Sequence, residues 1–201
     1  RGIEKESLRV TKNGYISNKK HPETLGSSYT NPSITTDFAE SLIEIVTPTY
    51  TNVDELYEKL KIIHIFINQN LKDGEMLWPF SMPPKIEDEA KINIATYGKT
   101  NMGRLKHVYR KGLAIRYGKT MQCVSGIHYN FSISDKSLKH LGYSSQNDKN
   151  NAYLNLISNF KRLFWFVLIE FGNSPVVDKS FVAGRANDLD ILNESDLFKP
   201  Y

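Results

Sequence analysis

The chain has little of several things that would set its class. Only one cysteine, Cys123, stands among 201 residues, so no intrachain disulfide can form and nothing points to an oxidising compartment. The 12 glycines and 8 prolines are too few for a collagen-like or low-complexity scaffold. With 40% hydrophobic and 24% charged residues, the chain does not have the composition of a disordered one. Long apolar runs are missing as well. In the most apolar segment the uncharged run covers only residues 163–169, between Arg162 and Glu170, where a membrane span needs roughly 20 apolar residues. No internal repeat appears. An initiator Met and an apolar leader are also absent. The chain opens on Arg1 and closes on Phe198-Lys199-Pro200-Tyr201 without a finishing element, so its length reads as that of a piece truncated at both ends.

What is present is enough for one globular domain with a sizeable core. Residues 1–10 read as a strand, with Asn13-Gly14 as a tight turn and a short return through Tyr15-Ile16. Residues 21–31 are rich in Pro, Gly, Ser and Asn and read as loop. Residues 35–47 are ambiguous between helix and strand. The β-branched Ile43, Ile45 and Val46, followed by Pro48, favour a strand over residues 42–46. Residues 51–71 predict a helix capped by Thr51 or Asn52, with Leu56, Leu60, Ile63, Ile67 and Leu71 at intervals of three and four. The prolines in Trp78-Pro79-Phe80-Ser81-Met82-Pro83-Pro84 predict an ordered loop. A strand follows over residues 126–133. Residues 144–151 read as polar linker, and residues 151–171 as a second helix stopped by Gly172.

Several residues could carry chemistry. Glu4 and Glu6 lie on one face of the first strand, about 7 Å apart. They are either charged residues on a solvated edge or oxygen ligands of a hard cation such as Mg2+. Glu40 and Glu44 share a face with Phe38, with Asp37 at the mouth of that element. In the strand at 126–133, His128 and Asn130 occupy the polar face and Ile127, Tyr129 and Phe131 the apolar one. Charge is uneven too. The net charge is +4, yet residues 99–119 carry Lys99, Arg104, Lys106, Arg110, Lys111, Arg116 and Lys119 and no acid, interleaved with Tyr109 and Tyr117. This segment fits a nucleic-acid patch, a clamp for small anionic substrates, or a solvated basic helix.

Six segments settle on a family when taken in order. Arg1-Gly2-Ile3-Glu4-Lys5-Glu6-Ser7-Leu8-Arg9-Val10, Ile34-Thr35-Thr36-Asp37-Phe38-Ala39-Glu40, Trp78-Pro79-Phe80-Ser81-Met82-Pro83, Tyr109-Arg110-Lys111-Gly112-Leu113, Arg116-Tyr117-Gly118 and Ser125-Gly126-Ile127-His128-Tyr129-Asn130-Phe131 resemble successive motifs of the proteobacterial-type glutamate–cysteine ligases. Beyond residue 131 the aromatic helix and Phe171-Gly172-Asn173-Ser174-Pro175 still resemble the family's next helix and its ending. Asn31, Pro84 and Thr100 depart from residues common in the family.

The resemblance implies an α+β fold similar to glutamine synthetase, a curved, mainly antiparallel sheet forming a funnel with peripheral helices, incomplete here. Residues 1–201 would be the N-terminal portion of one catalytic domain. The implied reaction is the first step of glutathione synthesis. ATP phosphorylates the γ-carboxylate of L-glutamate, and the amine of L-cysteine displaces phosphate from the acyl phosphate. By motif position Glu4, Glu6, Asp37, Glu44 and His128 are the implied Mg2+ ligands, with Mn2+ an alternative ion. Phe38, Tyr109, Arg110, Leu113 and Gln122 are the implied substrate-binding residues, with Cys123 an ordinary buried thiol. No side-chain nucleophile is implied. Most nucleotide contacts are expected beyond Tyr201, so these residues alone are expected to be inactive. The complete enzyme is expected to be a cytoplasmic monomer with neither nucleic-acid nor membrane partner. Two rival readings are a basic nucleic-acid-binding module at residues 99–119 and another carboxylate–amine ligase of the same fold.

Overall fold

A computed structural model describes residues 1–172, 176–192 and 197–199. Residues 173–175, the last of the segment that resembles the family's helix ending, lie outside them, as do Pro200 and Tyr201. Two compact units are present, one built from residues 1–130 and 175–201 and the other from residues 131–174.

The first unit is organised by β1 (Gly2–Val10), which pairs with three other strands, all antiparallel. On one side it meets β3 (Leu42–Val46), which in turn carries β2 (Ile34–Thr36). On the other side the first half of β1 pairs with β5 (Ile127–Asn130) and its last two residues with β4 (Met76–Leu77). The turn at Asn13-Gly14 forms with Gly14 at φ 78, a conformation glycine adopts without steric cost. Its return is a single antiparallel bridge from Ile16 to Val10.

Alternation along the strands sorts the residues into two environments. Ile34, Ile43 and Ile45 face helix α1 (Val53–Asn70) and form one core with its Ile63 and Ile67. This helix starts where the sequence predicts, because the Asn52 side chain accepts the Asp54 amide at 2.7 Å. Leu56, Ile63 and Ile67 are buried as expected, with Leu60 and Leu71 partly so. Removing each buried isoleucine from water is worth roughly 1.5–3 kcal/mol. On the opposite face Leu8 and Leu42 join Phe38, Ala39, Ile86, Ile92, Cys123, Val177 and Phe181 in a second core. The same face carries the strand carboxylates.

Two expectations are corrected here. Phe38 and Glu40 are not on a strand face with Glu44, because the chain turns between β2 and β3, with the Leu42 amide bonded to the Ala39 carbonyl. Phe38 drops into the core. Glu40 is buried, and its carboxylate accepts the His21 and Thr96 amides and the Thr96 hydroxyl.

The basic segment forms α2 (Asn101–Tyr117). Thr100 caps it by accepting the Gly103 amide at 3.0 Å, which explains why a threonine serves at this position. Gly103 has a separate reason: a Cβ there would lie 2.3 Å from the Tyr97 carbonyl oxygen. A short sheet, in the order β6 (Val177–Asp178), β8 (Leu197–Lys199) and β7 (Asp190–Ile191), and a single turn, α5 (Lys179–Val182), complete the unit.

The second unit holds α3 (Asp135–His140) and α4 (Gln146–Phe171). Of the stretch read as linker, residues 146–151 belong to α4. Ser145 and Asp148 form a reciprocal capping box, which starts the helix five residues earlier than its apolar pattern does.

Candidate active site

The implied metal ligands come from four segments around β1. Register places His128 directly across from Glu4, and Glu44 directly across from Glu6. Glu4 is held by both polar residues of β5: its carboxylate lies 3.2 Å from His128 Nδ1 and accepts Asn130 Nδ2 at 3.0 Å. Glu6 accepts the Gly126 amide at 2.7 Å, while its own amide donates to the Gly126 carbonyl at 3.0 Å. The start of β5 is thereby tied to β1 at the carboxylates. β5 is shorter than residues 126–133, and all four of its residues are exposed, Ile127 and Tyr129 included.

Glu6 and Glu44 are like charges on directly opposed positions, an arrangement that destabilises a sheet unless something offsets it. Burial, followed by Asp37 and Glu4 among the nearby charges, raises the Glu6 carboxyl above its ordinary range, against the Gly126 hydrogen bond and His128. Burial also raises Glu44, with Asp37, Glu6 and Glu4 adding to the shift and Arg110 opposing it. Five sequence-predicted residues therefore share one electrostatic environment.

Register sets four of them in two opposed positions, Glu4 with His128 and Glu6 with Glu44. No group of three or more His, Cys, Asp or Glu side chains able to hold a metal ion is present among the described residues. An open site of carboxylate pairs is nonetheless what Mg2+ uses, since it keeps several waters and takes one or two carboxylates plus substrate phosphates. The donor set, hard oxygens with one imidazole, fits that ion.

Arg110 closes one side of this environment. Its Nε donates to the Asp37 carbonyl at 2.5 Å and its Nη1 to the Lys106 carbonyl at 3.1 Å, while Nη2 lies 3.7 Å from the Asp37 carboxylate. The guanidinium stacks on Tyr97 at 4.7 Å. The Tyr97 hydroxyl itself donates to the Thr36 and Asp37 carbonyls. With its side chain 13% exposed, Arg110 is an internal brace more than a free fork. Sequence reasoning missed Tyr97; its only signal was an aromatic ring just before the cationic segment.

The other implied substrate residues are dispersed in exposure. Tyr109 is exposed, Gln122 is half-buried in the turn after α2, and Leu113 packs against the second core. Phe38 is fully buried, so its ring can shape a pocket only from beneath. Cys123 is buried, and burial, with Glu89 nearby, pushes its thiol up to about 12. Lys119 donates to the Ala90 and Ile92 carbonyls, and Lys106 lies over the Tyr29 and Tyr97 rings. With Arg110, and with Arg116 over the Tyr117 ring, four of the seven cations are committed to the chain itself. A buried pair that sequence reasoning also missed underlies the site: Arg9 meets Glu75 at 2.7 Å and donates to the Lys19, Lys20 and Glu40 carbonyls.

The family model for glutamate–cysteine ligase matches residues 1–201, the whole chain. The chain belongs to the glutamate–cysteine ligase family. Among curated members, the glutamate–cysteine ligase of Pseudomonas entomophila is 48% identical over 206 aligned residues, and that of Hahella chejuensis 45% over 207. Both alignments take in 100% of this chain and 39% of the relative. A glutamate–cysteine ligase from Francisella tularensis, crystallised in complex with AMP, is 36% identical and superposes with a TM-score of 0.91 over 98% of this chain and 39% of its own. A bifunctional glutathione synthetase from Pasteurella multocida is 34% identical, with a TM-score of 0.78 over 87% of this chain and 23% of its own. The chain thus spans about 39% of the length of the curated glutamate–cysteine ligases it matches. The family read from motif order is borne out, as are the α+β class and the antiparallel sheet. No helix among the described residues is long and apolar enough to cross a membrane.

Proposed function

We propose that the complete protein joins L-cysteine to the γ-carboxylate of L-glutamate at the expense of ATP, through a γ-glutamyl phosphate. Family membership supports the reaction class, and the face around β1 supports a site for it. The observation that carries the reading is the opposition of Glu6 to Glu44 beside the Glu4–His128 pair, a concentration of partly buried negative charge that a divalent cation would offset. Glu4, Glu6, Asp37, Glu44 and His128 would hold Mg2+ or Mn2+. Bound there, the ion supplies charge neutralisation at phosphate oxygens during phosphoryl transfer.

The chain's own residues orient and neutralise. The Gly126 amide and Asn130 fix the carboxylates of Glu6 and Glu4. Arg110, braced on Tyr97, sets the backbone at Asp37. Tyr109, Leu113 and Gln122, with Phe38 beneath them, shape the cysteine pocket.

In this reading residues 1–201 are the N-terminal part of one catalytic domain whose sheet curves into a funnel, in a cytoplasmic monomeric enzyme. Most nucleotide contacts lie in the portion this chain does not span, so the 201 residues alone release no phosphate from ATP in a glutamate- and cysteine-dependent manner. The reading is tested by calorimetric titration of the chain with MgCl2 and MnCl2. Weak binding that is lost in the Glu4→Gln, Glu6→Gln double variant is expected. Equal binding by both proteins, or by neither, overturns the metal site. Turnover of other amines in preference to L-cysteine by the complete enzyme would move the assignment to a sister carboxylate–amine ligase.

A further inference from the structure

Helix α4 is built like the inside of a protein. Ile157, Phe160, Phe164, Leu168 and Phe171 recur at intervals of three and four and make a continuous apolar stripe. Leu154 and Trp165 widen it on one flank and Leu156 and Leu163 on the other. None of the helix's 26 residues is buried, and Trp165 is 60% exposed. Its ring contacts, Phe160 with Phe164 at 5.9 Å and Trp165 with Phe166 at 6.1 Å, are within the helix. A stripe this wide marks a helix that is covered on more than one side.

We propose that α4 is the docking surface for the part of the glutamate–cysteine ligase chain that these 201 residues do not span, and that it captures this part even as a separate polypeptide. Length argues for this occupant. The curated relatives match the whole of this chain yet extend over more than twice its length, and the Francisella tularensis enzyme keeps the same backbone within such a longer chain. Charge argues against a second copy. Lys161 flanks the stripe near the middle of α4, so an antiparallel pair of α4 helices would bring two like charges towards the crossing point. The inference rests on family membership and not on the proposed reaction, and its readout is independent of turnover.

The test is to co-express the 201-residue chain with the segment of the Pseudomonas aeruginosa glutamate–cysteine ligase that follows the matched region. The mass of the product is measured by light scattering after gel filtration. A one-to-one complex is expected, with Trp165 emission shifted to the blue in a Trp78→Phe background and slowed amide exchange along α4. Phe160→Asp with Phe164→Asp should weaken the complex by about 30-fold or more. Asn155→Asp, on the polar strip, should leave it unchanged. Because the exchange readout uses the unsubstituted chain, it decides the matter even if the aspartate variant misfolds. Absence of a complex at about 50 μM, a homodimer that buries Trp165 in its place, or binding to anionic vesicles without a heterocomplex overturns the proposal.

Discussion

Replacing Glu75 by glutamine removes a charge that has no substitute. Arg9 is wholly buried and Glu75 nearly so. They meet at 2.7 Å, and the second Glu75 oxygen takes the Ser17 hydroxyl. The three carbonyls of Lys19, Lys20 and Glu40 serve one guanidinium nitrogen, and Nε has no hydrogen-bond partner among the described residues. Without the carboxylate, a full positive charge would be left in the core facing only carbonyl dipoles. Breaking a buried pair from one side costs about 3–5 kcal/mol, a large share of the stability of a small domain. Replacing both partners by apolar residues leaves no stranded charge. The Arg9→Met, Glu75→Leu double variant should therefore be less destabilised than the sum of the single variants by at least about 2 kcal/mol. Urea unfolding followed by Trp78 fluorescence in a Trp165→Phe background measures the parent, Glu75→Gln, the two single variants Arg9→Met and Glu75→Leu, and the double variant. A Glu75→Gln loss under about 0.5 kcal/mol, or additive single effects, would refute the reasoning.

Three further expectations concern neighbouring groups. Arg110→Lys cannot reproduce the bond to the Asp37 carbonyl together with the stack on Tyr97, so the urea midpoint should fall by the equivalent of about 1–3 kcal/mol; an unchanged midpoint would mean that Arg110 does not brace the chain. The Cys123 thiol, raised from 9.0 to about 12, should carry about a thousand-fold less thiolate at pH 8 than in the unfolded chain. A folded-state pKa above the unfolded one contributes stability that is intact below pH 9 and declines as pH rises towards 12, by about 1.4 kcal/mol per pH unit. Slow alkylation in the native state and a flatter alkaline limb in Cys123→Ala check both statements. His21 and His64 are shifted the other way, lowered first by burial and then, among the nearby charges, by Arg9 and Lys5 respectively. Their contribution is intact above pH 6.5 and is lost as pH falls through the lowered values. The decline in urea midpoint between pH 7.5 and 5.5 should therefore shrink in the His21→Gln, His64→Gln double variant.

The parts legible in the sequence are those fixed by local periodicity. The apolar stripe and cap of α1, the alternation of β1 and the β-branched run of β3 each dictate their element without help from elsewhere. The polar face of β5 was equally readable, and register then brings His128 to Glu4. The misreadings have long-range causes. Glu40 looked like a strand carboxylate because its hydrogen-bond partners, His21 and Thr96, are distant in sequence. Residues 146–150 looked like linker because their side chains favour helices weakly, although Ser145 and Asp148 held the capping signature. The Arg9–Glu75 pair joins β1 to the residue just before β4, far along the chain, and no local pattern announces it. Motif order carried the family, but it said nothing of how Arg110 is anchored.

The nine residues of β1 serve three partner strands at once, with Glu4 and Glu6 on one face and Arg9 on the other. A single residue inserted or deleted within it would carry the side chains on one side of the change to the opposite face of the sheet, so that the acids and the arginine no longer kept their separate faces, and would break the register with more than one partner. In evolutionary terms this strand is open to substitution but closed to changes in length, so length variation among relatives should accumulate in the loops after it and spare the strand itself.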